Sequence, residues 1–232
     1  MATKNTHVEE PVQLEVNQTL ENVRHFWSKS GKQVTIVLGA LVVLIGGYFA
    51  YKQFVTKPKE AEAVDKSFMA EKYFAIDSVA LALNGDGVNP GFEKIAKTYS
   101  GTPTGNLANF YTGVCYIKLN LNQQAVEYLE KFSTDSKPVQ QRAYMLLGDA
   151  YGDLGKGDKA LGFYKKAAAH FTESKENSSE ALFRGAYLAQ HVLNNKDEAI
   201  NLYKELKDKY PNTQLGFEAD KYLAQLGVYN AN

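Results

Sequence analysis

The strongest constraint on this chain is an uncharged run of 18 residues, VTIVLGALVVLIGGYFAY, from Val34 to Tyr51. At about 1.5 Å rise per residue, such a helix approaches the roughly 30 Å hydrocarbon thickness of a bilayer. Phe54 extends it if Lys52 carries its ammonium outward along an apolar stem. A buried core helix is the competing reading. Such a helix normally keeps a polar stripe, and here Thr35 alone is polar. Tyr48 and Tyr51 stand where an interfacial aromatic belt would lie. The run exceeds a usual signal-peptide core, 33 residues precede it, and the exit GGYFAYKQF offers no A-x-A cleavage site. An uncleaved signal anchor over 34–54 is therefore expected. Gly39, Gly46 and Gly47 would let another membrane helix approach closely. Glycines simply tolerated in a membrane helix would look the same.

The flanking charges do not orient the anchor. Arg24, Lys29 and Lys32 stand on one side, and Lys52, Lys57 and Lys59 on the other. Residues 1–33 read as a tail, with 1–12 polar and irregular. Val16, Leu20, Val23 and Trp27 then recur at helical spacing. That face can lie on the membrane, dock on a partner, or be a plain run-in to the span.

Whole-chain charge excludes one class. Lys and Arg number 26 against 26 Asp and Glu, and no basic stripe for nucleic acid stands out. A lone cysteine, Cys115, excludes an intramolecular disulfide and a cysteine-based metal cluster; inside a helix it reads as core.

Beyond the anchor the chain reads as all-α. Val64, Phe68, Ala75, Ile76, Val79 and Leu83 predict one helix ending in the loop NGDGVNPG, with Asn89 and Pro90 as cap and first-turn proline of the next. Self-similarity follows. Gly113, Tyr116, Ala125 and Leu129 recur 35 residues later as Gly148, Tyr151, Ala160 and Tyr164. Gly185, Ala199, Tyr203 and Pro211 mark a longer third unit. FEKIAKTYSGT (92–102) matches YKELKDKYPNT (203–213). Each unit reads as helix, polar turn, helix, with the turns LNLNQQ, GDLGKGDK and LNNKDE. Small residues at fixed positions permit close helix approach, and the larger Tyr and Leu fill the space beside them.

This pattern resembles the tetratricopeptide repeat. LLGDAYGDLGKGDKALGFYKKA (146–167) carries the family's Leu147, Gly148, Tyr151, Ala160, Tyr164 and Ala167. TGVCYIKLNLNQQAVEYLEKF has Gly113, Tyr116, Ala125 and Leu129, with Phe132 where Ala is usual. The third unit lacks the Gly and Tyr at standard spacing. The predicted units are 60–102, 105–138, 140–173 and 178–213, with 214–227 as a capping helix. The resemblance implies a protein-binding concave face lined by the first helix of each pair. Its exposed positions map onto Phe110, Val114, Ile117, Lys118, Arg142, Met145, Asp149 and Asp153. Phe110, Val114 and Met145 are open to the simpler reading of inter-repeat packing.

One anchor, a divergent helix pair and then repeats also resembles the YfgM-like ancillary subunits of the bacterial SecYEG translocon. AEKYFAI (70–76) and TYSGTPTGNLANFYTG (98–113) add to the likeness. That resemblance implies a cytoplasmic N-terminus and one helix in the inner-membrane bilayer. It also implies a periplasmic repeat domain, with SecYEG and a membrane-anchored PpiD-like chaperone as partners.

No cofactor, metal or catalytic motif is visible. His7, His25, His170 and His191 are scattered without HExxH. NGDGVN lacks an EF-hand's alternating oxygens and closing Glu. GDLGKGDK has neither the spacing nor the Ser/Thr of a phosphate-binding loop. A non-enzymatic scaffold is the expected function. A cytoplasm-facing adaptor, or an enzyme with a site in the 84–91 loop or the groove, are the alternatives.

Overall fold

The computed structural model describes residues 10–229, with side chains at 10–20, 22, 23, 25 and 26 outside the description. The chain divides into two compact units, one ending at Thr56 and the other starting at Lys57. All regular structure among the described residues is helical, apart from one isolated antiparallel bridge between Gly85 and Pro90.

The first unit contains α1, Glu10–Tyr51, followed by a π-helical turn, Lys52–Thr56. Glu10, Pro11 and Val12 are thus helical, which corrects the irregular start expected for 1–12; residues 1–9 lie outside the described residues. No break separates the tail from the apolar run, because nothing between Glu10 and Tyr51 interrupts the helix. Of the proposed amphipathic face, Val16, Leu20 and Val23 lie outside the described side chains, while Trp27 is exposed. Among the described residues one helix, near the N-terminus, is long and apolar enough to cross a membrane: an 18-residue window of it has mean hydropathy 2.2, and none of that window is buried. A Cβ added at Gly39, Gly46 or Gly47 would meet nothing within 4 Å, so their face is open.

The second unit holds α2 (Lys57–Ala75), α3 (Val79–Asn84), α4 (Phe92–Thr98), α5 (Pro103–Lys118), α6 (Asn122–Leu129), α7 (Lys137–Asp153), α8 (Gly157–His170), α9 (Lys175–His191), α10 (Lys196–Lys209) and α11 (Gln214–Gln225). From α4 onward each helix packs on the next in sequence.

The start of this unit departs from expectation twice. The single helix expected from Val64 to Leu83 is two, broken where Asp77 adopts φ 58°. The buried face of α2 is Ala63, Ser67 and Ala70, whereas Val64, Phe68 and Ile76 are 54, 66 and 65% exposed. Small residues win because α2 packs against α3, α4 and α5. Glu60 fixes it further, its carboxylate accepting from the Thr104 N–H (3.0 Å) and hydroxyl (2.7 Å) in the first turn of α5. The Asn89–Pro90 cap is also corrected: Gly91 caps α4, and Pro90 lies in the bridge. Asp86 organises that loop. Its carboxylate accepts from the Asn89 amide, the Asn89 and Val88 N–H groups and the Tyr73 hydroxyl. These bonds, the Asn89 amide foremost, hold Asp86 well below the usual carboxylate range.

The repeat register has a physical cause. A Cβ on Gly113 would fall 2.5 Å from Leu129 Cγ, and one on Gly148 would fall 2.5 Å from Tyr164 Cε1. Only glycine lets α5 meet α6, and α7 meet α8, at this separation. In the third pair Ala186 and Ala189 are fully buried on α9 instead. The match between 92–102 and 203–213 extends into geometry. Thr102 caps α5 by accepting from Gly105 N at 3.0 Å, and Thr213 caps α11 by accepting from Gly216 N at 3.1 Å. Both hydroxyls donate to a tyrosine carbonyl, Tyr99 (2.8 Å) and Tyr210 (2.9 Å). A Cβ on Gly105 or Gly216 would strike that same carbonyl. The chain enters and leaves its repeats through one corner, Tyr-x-x-Thr-x-x-Gly, used twice.

Two clusters of buried apolar residues make the core. One spans α2 to α6 around Phe92, Ile95 and Cys115; the other runs from α6 to α11 around Leu147, Tyr203 and Leu223. Ile117 packs against both.

Candidate partner-binding groove

A groove of about 540 Å³ opens along α7 and α9, with Tyr164 of α8 reaching into it. Its construction starts at Gly148. Because this residue has no side chain, the Tyr164 ring lies against α7, and its hydroxyl donates to Asp149 Oδ1 at 2.8 Å. From α9, Arg184 Nη1 donates to the same oxygen at 2.5 Å. Arg184 Nη2 and Nε donate to Glu180 Oε1, one helical turn earlier, at 2.6 and 3.0 Å. Three helices are thereby joined by one chain of charge-assisted bonds. Burial disfavours the Arg184 cation, but Asp149 and Glu180 overcome it and keep the guanidinium charged. Burial, and then the Asp149 charge, push the Tyr164 phenol far above its ordinary range, so it remains a donor.

The other wall is apolar. Tyr187 is 48% exposed, Val192 is exposed, and Leu188 and Phe183 are half-buried. Phe183 is held by Tyr222 of α11, with ring centroids 5.1 Å apart, and Tyr222 stacks on the buried Tyr203. Beside these stand Gly152 and Asp153, the latter accepting from Asn122 Nδ2 at 3.1 Å. Tyr187 itself lies 4.3 Å from the His191 ring.

The expected interaction residues divide. Asp149 and Asp153 line the groove. Phe110, Val114 and Ile117 are half-buried and pack on the core, with Phe110 5.1 Å from the Phe132 ring. Lys118 pairs with Asp77 at 2.5 Å. Arg142 is exposed, but Met145 is 3% exposed and is corrected to core: its side chain sinks among neighbouring repeats. Sequence reasoning missed Phe183, Arg184 and Tyr187. Their signal was local: an i,i+4 Glu180–Arg184 pair beside an i,i+4 aromatic pair on one helix.

The other sequence features settle as structure. Cys115 is fully buried, and burial pushes its thiol up to about 11. Gln141, also fully buried, donates to the Ala167 carbonyl and to Ser178 Oγ, pinning α8 to α9. Among the described residues no group of three His, Cys, Asp or Glu side chains is placed to hold a metal ion.

The fold and groove define an α-helical repeat solenoid of the kind that binds proteins. One tetratricopeptide-repeat family model matches residues 107–135 and 180–213, and a second matches 141–169. Those three stretches match as tetratricopeptide repeats. No curated protein matches it.

Proposed function

We propose that this protein is a membrane-tethered, non-enzymatic adaptor whose repeats hold a segment of another protein. The observation that carries this reading is the α7–α9 groove, with fixed carboxylates on one wall and exposed Tyr187 and Val192 on the other. Such a lining suits a peptide or a partner helix. Repeats of this family are typically non-catalytic scaffolds.

The exposed apolar helix supports a bilayer anchor, with Gly39, Gly46 and Gly47 as a surface for a second membrane helix. The likeness in layout to YfgM-like subunits supports a finer reading. In it the N-terminus is cytoplasmic and the repeats are periplasmic. The adaptor then stands at the SecYEG translocon and links it to a PpiD-like chaperone or to emerging secreted chains.

Affinity purification of the full chain from detergent-solubilised membranes tests this, with protease protection in intact spheroplasts. The reading predicts translocon subunits and a membrane-anchored chaperone in the eluate, and a C-terminal unit cleaved by external protease. Repeated absence of both partners overturns the translocon assignment. A protected C-terminal unit overturns the periplasmic one.

A further inference from the structure

The geometry points to a cationic side chain flanked by apolar neighbours, carried by the partner protein, as the occupant of the α7–α9 groove. This rests on the adaptor reading and adds the chemistry of what the groove holds.

Charge carries the argument. Asp149 and Asp153 set two carboxylates along the groove against one guanidinium, that of Arg184; Glu180, which also bonds Arg184, lies in a neighbouring small pocket beside Arg142. Arg184 is committed: Nη1 bonds Asp149, and Nη2 and Nε bond Glu180. Asp153 is held by the neutral Asn122 amide. Among the lining residues Arg184 is the one Lys or Arg side chain. The groove therefore offers an excess of negative charge beside an apolar wall.

An anionic segment would meet like charge. A purely apolar one would strip water from carboxylates without pairing them. A Lys or Arg satisfies both walls. Its aliphatic stem lies along Tyr187 and Val192, and its head reaches Asp149 Oδ2 and Asp153, with the Tyr187 ring adding a cation–π contribution. The volume of about 540 Å³ suits a few side chains.

The test uses the full chain in nanodiscs of zwitterionic lipid, with empty nanodiscs as control. Three fluorescent peptides share leucine and phenylalanine flanks and differ centrally as Lys, Gln or Glu. Anisotropy measures affinity, and hydrogen–deuterium exchange locates binding. The Lys peptide is expected to bind about tenfold or more tighter than the Glu peptide, to weaken with salt, and to protect α9 amides. Asp153→Lys should erase or reverse that order, and Tyr187→Ala should weaken all three peptides. If the Gln or Glu peptide binds tightest and still protects α9, the cationic inference fails and the adaptor reading stands. If Lys-peptide binding leaves α9 unprotected or ignores both substitutions, the occupant is elsewhere and the inference fails. If no peptide protects α9, the groove is no peptide site and both fall.

Discussion

The helix pairs α5/α6 and α7/α8 share one register 35 residues apart, yet one presents a closed face and the other an open one. Val114, Ile117 and Lys118 correspond to Asp149, Gly152 and Asp153. In the first pair two apolar side chains fill the face, and Lys118 closes onto Asp77. In the second, a glycine removes the bulk and two carboxylates replace it. The filling residue opposite the repeated glycine, Gly113 or Gly148, changes in step. Leu129 ends in the core, whereas Tyr164 ends in a hydroxyl that anchors Asp149. Identical backbone logic therefore yields packing in one repeat and an open groove in the next.

The largest effect should come from Tyr164→Ala, which removes a buried ring and unties Asp149. A loss of about 3–5 kcal/mol is expected from thermal or denaturant unfolding of the full chain in detergent. Next, Gly148→Ala should cost about 1–3 kcal/mol by driving a Cβ into Tyr164. On the same helix, Gly152→Ala meets only Ala160 Cβ at 3.9 Å, so it should be neutral or stabilise by up to about 1 kcal/mol. Equal costs at the two glycines would break the comparison. Tyr164→Phe keeps the packing and loses one bond, about 0.5–1.5 kcal/mol. Lys118→Ala removes a surface pair and should cost under about 1 kcal/mol.

Alkaline pH sharpens the picture. Cys115 is pushed up to about 11, and Tyr116 and Tyr151 to about 12, burial being the first cause of each. These groups keep their protons in the folded chain at a pH where the unfolded chain has lost them. Stability is thus full below their ordinary values, near 9 and 10, and falls as pH rises through 11 and 12. Denaturant midpoints measured from pH 8 upward check this, and an increase above pH 9 would contradict it.

The periodic features were legible in sequence. The uncharged run stood out by length, and the glycine, alanine and tyrosine spacing exposed the helix pairs. The buried face of α2 was not legible, because its Ala63, Ser67 and Ala70 carry less hydrophobic signal than the exposed Val64 and Phe68 beside them. Met145 looked like a surface position because the helix-face mapping ignores how deeply neighbouring repeats sink a long side chain. The groove was half legible. Asp149 and Asp153 were found on α7, but Arg184 completes the site from 35 residues away, and no local pattern encodes that contact.

The most direct test of the open and closed faces is site-specific photo-crosslinking in intact cells, with the crosslinker at Asp153, Tyr187 or Lys118 of the full-length protein. The account predicts discrete protein adducts from Asp153 and Tyr187 and none from Lys118. Adducts from Lys118, with silence at Asp153 and Tyr187, would contradict it.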